Sequence, residues 1–393
     1  MSHPVRPTLN LGFIPLVDCA PLAVARELGL FAVQGLSVTL SREASWANIR
    51  DKVQAGVLDG AHMLAPMPIA ATLGAGGERA PMIAPLSLNT GGSAITLSSD
   101  LAAQMREADP EGMAARPRTA GPLARVVQAR QARGERPLTL AAVFPYSMHA
   151  YALRYWLAEA GVDPDRDVRL VITPPPRMAA RLKAGEIDGF CVGAPWSAMS
   201  EADGAGETLI DAWEFWPGGP DKVFAVTSAW AERNTDMLDA LIRALIAAAI
   251  WADTPGNHDE LAAMLAGPAY VDAPAPLIRR SLTSGPDGVA FHRGAAGIPR
   301  RRDAVWFGTQ MMRWGQIDSE TDLQAVANSV YRPDIYRAAA ALLGAPAPPT
   351  DDGSDGLRVD RFFDGRIFDP ADPLEYVRSF RVGRDRADVG SGD

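Results

Sequence analysis

Apolar residues along this chain fall into short runs, and stretches with helical spacing separate them. Leu9, Leu11, Phe13 and Ile14 lie within residues 8–14, which read as a buried strand. Pro15 to Ala20 is a turn. Pro21 then stands where a first helical position accepts proline, and the helix it opens runs through Leu28 and stops at Gly29. Residues 36–40 predict the next strand, 46–53 a short helix, and 58–64 a third strand ending before Pro66. The same order then returns as strand 138–143, a turn through His149, helix 150–160 and strand 168–172. The turn Pro174-Pro175-Pro176, a helix to Lys183 and strand 187–192 complete it.

The letters repeat as well as the pattern. Gln54-Ala55-Gly56-Val57-Leu58-Asp59-Gly60 returns 129 positions later as Lys183-Ala184-Gly185-Glu186-Ile187-Asp188-Gly189. Each copy runs on to Ala-Pro, at Ala65-Pro66 and Ala194-Pro195, and Phe13-Ile14-Pro15 is echoed by Val143-Phe144-Pro145. Strand alternating with helix in two similar units predicts an α/β chain of two lobes with mixed, mostly parallel sheets. Ligand residues are then expected at the carboxyl ends of strands. Two such lobes facing each other are the architecture of a receptor that closes on its ligand. Residues 81–96 and 191–228 are the expected crossings, so that 1–90 with 197–393 would form lobe I and 91–196 lobe II. Residues 223–226 read as a strand, and 236–251, 259–265 and 303–316 as helices. The stretch from Ala345 to Gly356 reads as a linker. The tail beyond it, with Phe362, Phe363, Ile367, Phe368 and Tyr376, is expected to dock on the body, and the last ten residues to be disordered.

Composition narrows the function. The chain has 393 residues, enough for two or three domains, and its net charge of −9 argues against a nucleic-acid surface. The arginine-rich stretch from Arg116 to Arg136 is interleaved with Ala and Gly and reads as a solvated face. Cys19 and Cys191 read as buried thiols rather than a disulfide pair. Met-Ser-His-Pro-Val-Arg-Pro leads straight into the first apolar run with no export pattern, so the expected location is cytoplasmic. No apolar run approaches the ~18 residues of a membrane span. Gly-x-Ser-x-Gly, CxxC, HExxH and phosphate-loop motifs are absent, and the histidines at 3, 62, 149, 258 and 292 have no partners at metal-ligand spacing. Neither a catalytic residue nor a metal or cofactor is expected.

A few residues could bind a ligand. His149 stands where a strand gives way to a helix, so its ring either joins backbone N–H groups in anion-binding geometry or faces solvent. His62, inside an apolar run, reads as structural. Trp46 at a helix start either walls a pocket and donates its indole N–H or is a core residue. Asn89-Thr90-Gly91-Gly92-Ser93 offers either close backbone approach and small donors or a plain turn. Lys222, before an apolar run, either carries a cation inward or is a surface lysine at a strand start.

From about residue 8 to 340 the chain resembles the nitrate- and bicarbonate-binding receptors of bacterial ABC transporters. The resemblance rests on Gly12 to Leu22, Ser41 to Asp51, Leu58 to Pro68 and Tyr331-Arg332-Pro333-Asp334-Ile335-Tyr336. It implies a type II periplasmic-binding-protein fold, two α/β lobes with a hinge, and an oxyanion site at Trp46, Gly92, Ser93, His149, Pro175, Val192 and Lys222. Nitrate binders of the family resemble this chain in having lysine at the position of Lys222, whereas the bicarbonate binder has glutamate there with a calcium ion. The implied ligand is therefore nitrate or nitrite. Two departures stand out, because the family's nitrate binders usually place glutamine where Ser93 stands and glutamate where Ala194 stands. With no export signal, the resemblance extends to NasS-type cytosolic sensors, which release a NasT-type RNA-binding antiterminator protein when ligand closes the lobes. Alternatives are the substrate-binding component of an ABC transporter and an enzyme like the thiamine-pyrimidine synthases.

Overall fold

A computed structural model describes residues 8–283, 288–347, 360–383 and 385. Among these, the strands are β1 (Thr8–Phe13), β2 (Ser37–Arg42), β3 (Gly60–Leu64), β4 (Met82–Thr90), β5 (Ser93–Ser98), β6 (Thr139–Ala142), β7 (Arg169–Ile172), β8 (Gly189–Gly193), β9 (Gly206–Asp211) and β10 (Pro220–Thr227). They form two five-stranded sheets with orders β2-β1-β3-β10-β4 and β7-β6-β8-β5-β9. In each sheet four strands share a direction, and the fifth, β10 or β5, is antiparallel to both its neighbours.

The described residues divide into two compact units. The first draws on Met1–Thr90, Pro220–Ala304 and Gln324–Leu357, the second on Gly91–Gly219, Val305–Leu323 and Arg358–Asp393. This corrects the expected boundaries, because residues 197–219, 305–323 and the tail go with the second unit and not the first. β9 is the reason for the first shift: it pairs with β5, so its sheet is not complete until Asp211. Aromatic packing accounts for the others. Phe362 of the tail stacks on Trp306 with ring centroids 5.2 Å apart, Phe363 on Phe215 at 5.3 Å, and Trp216 donates its indole N–H to Asp360 at 3.0 Å. Phe362, Phe363, Phe368 and Tyr376 are buried as expected, while Ile367 is half exposed. Most of the linker and, apart from Asp385, the last ten residues lie outside the described residues. No helix among the described residues is long and apolar enough to cross a membrane.

Strand pairing explains why the sequence repeats. Leu11 pairs with Gly60 and Gly12 with Ala61, and 129 positions on Leu140 pairs with Gly189 and Ala141 with Phe190. Asp59 accepts the Asn10 backbone N–H at 2.8 Å, and Asp188 accepts that of Thr139 at 2.7 Å, each carboxylate tying a third strand back to the first. Gly56 and Gly185 adopt φ of +69° and +68°, the left-handed turn that ends the preceding helix and that a Cβ disfavours. Gly60 and Gly189 face the antiparallel strand closely. A Cβ on Gly60 would lie 2.7 Å from the Phe224 ring, and one on Gly189 would lie 2.3 Å from Leu97 and 3.0 Å from the Thr96 carbonyl oxygen. Gly189→Ala is therefore expected to lower stability by about 1–3 kcal/mol through overpacking, measured as a lower urea midpoint. Gly134→Ala, whose Cβ would meet nothing within 4 Å, controls for backbone strain alone at φ +67°.

Candidate functional site

In the first unit the residues of interest gather at the carboxyl edge of the parallel strands. The turn after β1 carries Asp18 in Val17–Cys19, and the helix Trp46–Gln54 begins just after β2. Ser45 caps that helix by accepting the Asn48 N–H at 3.2 Å, which fixes Trp46 in its first turn. β10 runs antiparallel to β3, so its start reaches the same edge, with Lys222 opposite Leu64. Its ladder with β4 is irregular on both sides of Lys222, the kind of break that re-aims a side chain.

Lys222 is fully buried, which overturns the surface-lysine alternative. A buried ammonium needs counter-charges. Its Nζ lies 2.9 Å from Asp18 Oδ2 and 2.7 Å from Asp221 Oδ2. The other Asp18 oxygen is 2.9 Å from Nε2 of His62, whose Nδ1 accepts the Ile14 backbone N–H at 3.4 Å. These contacts assign the His62 proton to Nε2 and leave the ring neutral. Burial acts in the same sense and holds His62 below its ordinary value, with Asp18 opposing. Burial by itself would lower the Lys222 ammonium, but Asp18 and Asp221 together raise it. For Asp18 burial works upward, and Lys222 with His62 brings the carboxyl below the usual carboxylate range.

Trp46 is buried, its ring meets His62 edge-on at 5.1 Å, and Lys222 Nζ lies 5.7 Å from its centroid. Its indole N–H has no hydrogen-bond partner among the described residues. A buried donor left unsatisfied costs roughly 1–3 kcal/mol and is a feature that a ligand can relieve. Lys222 contributes a second donor, since an ammonium has three N–H bonds and its two carboxylates take two.

The second unit arranges its residues on the corresponding edge. Lys222 stands opposite Leu64 as Ser93 stands opposite Gly193, and Val223, Phe224 and Ala225 follow on β3 as Ala94, Ile95 and Thr96 follow on β8. Trp46 after β2 likewise answers to Pro175 after β7, 129 positions on. Pro175 opens the single turn Pro175–Arg177. Val192 pairs with Ala94, and Ala194 donates its N–H to the Gly92 oxygen at 2.8 Å, so Gly92, Ser93 and Val192 adjoin. His149 is the second residue of the helix Met148–Glu159 and is buried, which removes the solvent-facing alternative. Ser147 caps this helix, accepting the Ala150 N–H at 2.9 Å and donating to the Phe144 oxygen at 2.6 Å.

Asp18 and Asp221 escaped the sequence reading. The signal was available in Asp221, which adjoins a lysine that opens an apolar run, and in Asp18, the one charge within Ile14 to Ala25. Both cysteines are buried and unpaired with each other. Among the described residues no group of three or more His, Cys, Asp and Glu could hold a metal.

The model of the NMT1-like family matches residues 2–266. The chain belongs to that family. It is 35% identical over 390 residues to the nitrate/nitrite binding protein NrtA of Synechococcus elongatus, covering 94% of this chain and 85% of that protein. It is 36% identical over 394 residues to the nitrate import ATP-binding protein NrtC of Synechocystis sp., covering 96% of this chain and 56% of that protein. The chain thus spans little more than half the length of that ATP-binding relative. The crystal structure of the periplasmic nitrate-binding protein NrtA from Synechocystis PCC 6803 superposes with a TM-score of 0.87 at 29% identity, covering 97% of this chain and 100% of that one. The family member described here therefore has the type II periplasmic-binding-protein fold expected from its sequence.

Proposed function

We propose that this protein is a receptor for nitrate or nitrite, acting by binding and not by catalysis. The carrying observation is the buried Trp46 indole N–H with no protein acceptor, set beside a Lys222 ammonium with a donor to spare. A flat monovalent oxyanion accepts from both, and the names of the NrtA relatives agree with this choice. Gly92, Ser93, His149, Pro175 and Val192 are proposed as further ligand-binding residues. Lys222 favours nitrate over bicarbonate, because the cation that bicarbonate binders take from calcium is here a side chain locked between carboxylates.

Calorimetric titration with nitrate, nitrite and bicarbonate tests this. We expect nitrate to bind near −8 kcal/mol, a micromolar dissociation constant of about 1 μM, and bicarbonate to give no heat. Trp46→Phe removes the N–H and keeps most of the ring, so nitrate affinity should fall by about 10–100-fold, the worth of a hydrogen bond to a charged group. Unchanged affinity in that variant would remove Trp46 from the site.

The relatives favour the supply of an ABC importer as the receptor's role. The narrower reading, a cytoplasmic NasS-type sensor holding a NasT-type antiterminator, is proposed as the second role. Co-purification with an antiterminator that nitrate abolishes would support it, and binding to a transporter permease would rule for the importer.

A further inference from the structure

We propose that Glu43 is a positioning residue for the anion site, holding the Trp46 indole where its N–H can meet the ligand. This deepens the nitrate reading and rests on it. Glu43 is only 5% exposed and lies in the turn between β2 and the helix Trp46–Gln54. Both of its carboxylate oxygens accept from Lys52 Nζ at 2.8 Å, and Oε1 also accepts from the Ser41 hydroxyl at 2.8 Å. Its backbone N–H donates to the Phe13 oxygen at 2.8 Å, one step beyond the last β1–β2 pair, Phe13 with Arg42.

These ties bracket Trp46 along the chain. Ser41 belongs to β2, before the turn, and Lys52 to the last turn of the helix that Trp46 opens. One carboxylate therefore joins strand and helix across the turn that carries the indole. Burying a carboxylate is costly unless it is paired and hydrogen-bonded, and an apolar side chain could fill the same volume at lower cost. What an apolar side chain could not supply is a directional tie. Trp46 has need of one, because its N–H has no acceptor among the described residues to hold it in place. The edge-on contact with His62 limits the ring on one side, and the Ser45 cap fixes only the first turn of backbone. A hydrogen bond weakens steeply with angle, so a slight swing of the helix start would cost the indole part of its grip on an anion. The Lys52 side chain is 41% exposed, so freeing its ammonium leaves that charge in water and strands no buried cation.

The test is calorimetry with sodium nitrate on the wild type, Glu43→Gln, Trp46→Phe and the double variant, with urea midpoints alongside. Glu43→Gln keeps the volume and one oxygen but loses the charged hold on Lys52. Nitrate affinity should then fall about 3–10-fold, the worth of one ordinary hydrogen bond. In the Trp46→Phe background the same change should cost nothing more, because the donor that Glu43 places is already gone. A purely structural role would lower affinity equally in both backgrounds, and that result would overturn the proposal, as would unchanged affinity in Glu43→Gln. Ser41→Ala removes one tie and leaves the buried pair in place, so it carries the same cycle if Glu43→Gln does not fold. A wild type that binds no nitrate, or a Trp46→Phe variant that binds it undiminished, would defeat the Trp46 site itself and Glu43 with it. Equal losses in the two backgrounds would defeat the role of Glu43 alone.

Discussion

Lys222→Met is expected to lower stability by about 3–5 kcal/mol at neutral pH, because it takes the ammonium counter-charge from the buried Asp18 carboxylate. The pH dependence identifies the cause. In the wild type the Asp18 carboxyl lies below its ordinary value. It therefore contributes stability that is present above the unfolded value of about 3.9 and lost as pH falls through the lowered folded value. The Lys222 ammonium lies above its ordinary value. Its contribution is full below the unfolded value of about 10.4 and lost as pH rises through the raised folded value. The pair is thus at full strength from about pH 4 to pH 10. With the ammonium gone, burial, the largest influence on Asp18, is expected to raise its carboxyl. A raised carboxyl favours the folded state at low pH and loses that contribution as pH rises, so the deficit of the variant should shrink on going from about pH 7.5 to 5. Urea midpoints at the two values decide the matter. An equal deficit at both would mean that lost packing of the aliphatic stem, and not stranded charge, carries the effect. Nitrate should give no heat with this variant at either pH.

The sequence was most informative where a physical constraint recurs. Asp59 and Asp188 do the same work in the two units, as do Gly60 and Gly189, so the repeat in the letters announced a repeat in the strand register. Strand and helix order in both units could be read for the same reason. The unit boundaries could not, because what assigns residues 197–219 and 305–323 is the pairing of β9 with β5 and the stacking of Trp306 on Phe362, both long-range. At the site, Trp46, His149 and Lys222 were found by their places at strand and helix ends. Whether His149 and Lys222 faced solvent or the interior, and whether Trp46 walled a pocket or filled the core, was not legible, since one residue at an element's start has no periodicity to orient it. Asp18 was missed for a related reason. Its role depends on Lys222, 204 positions away, and a carboxylate's partner across such a separation leaves no local trace.

The tail offers the second large effect. Phe362 is 2% exposed and touches four aromatic neighbours closely, with centroids 5.2 Å from Trp306, 5.2 Å from Trp216, 5.4 Å from Tyr155 and 5.9 Å from Phe215. Phe362→Ala should cost about 3–5 kcal/mol, because rings carried on three separate helical segments, Tyr155, Trp306 and the Phe215-Trp216 helix end, collapse poorly into the space left. Polar ties cross the same seam. Phe363 donates its N–H to the Phe215 oxygen at 3.0 Å, and the Tyr155 hydroxyl donates to the Asp364 carboxylate at 3.0 Å. Loss of the ring should loosen these ties together, so the tail should become open to limited trypsin cleavage at Arg361 and Arg366. The matched control is Ile367→Ala, a half-exposed side chain five positions on, which should stay within about 0.5 kcal/mol of the wild type. Equal effects from the two would mean that the tail contributes general apolar cover. A large gap between them would make Phe362 the point at which residues beyond the linker join the second unit, on the very helix, Met148–Glu159, whose first turn carries His149.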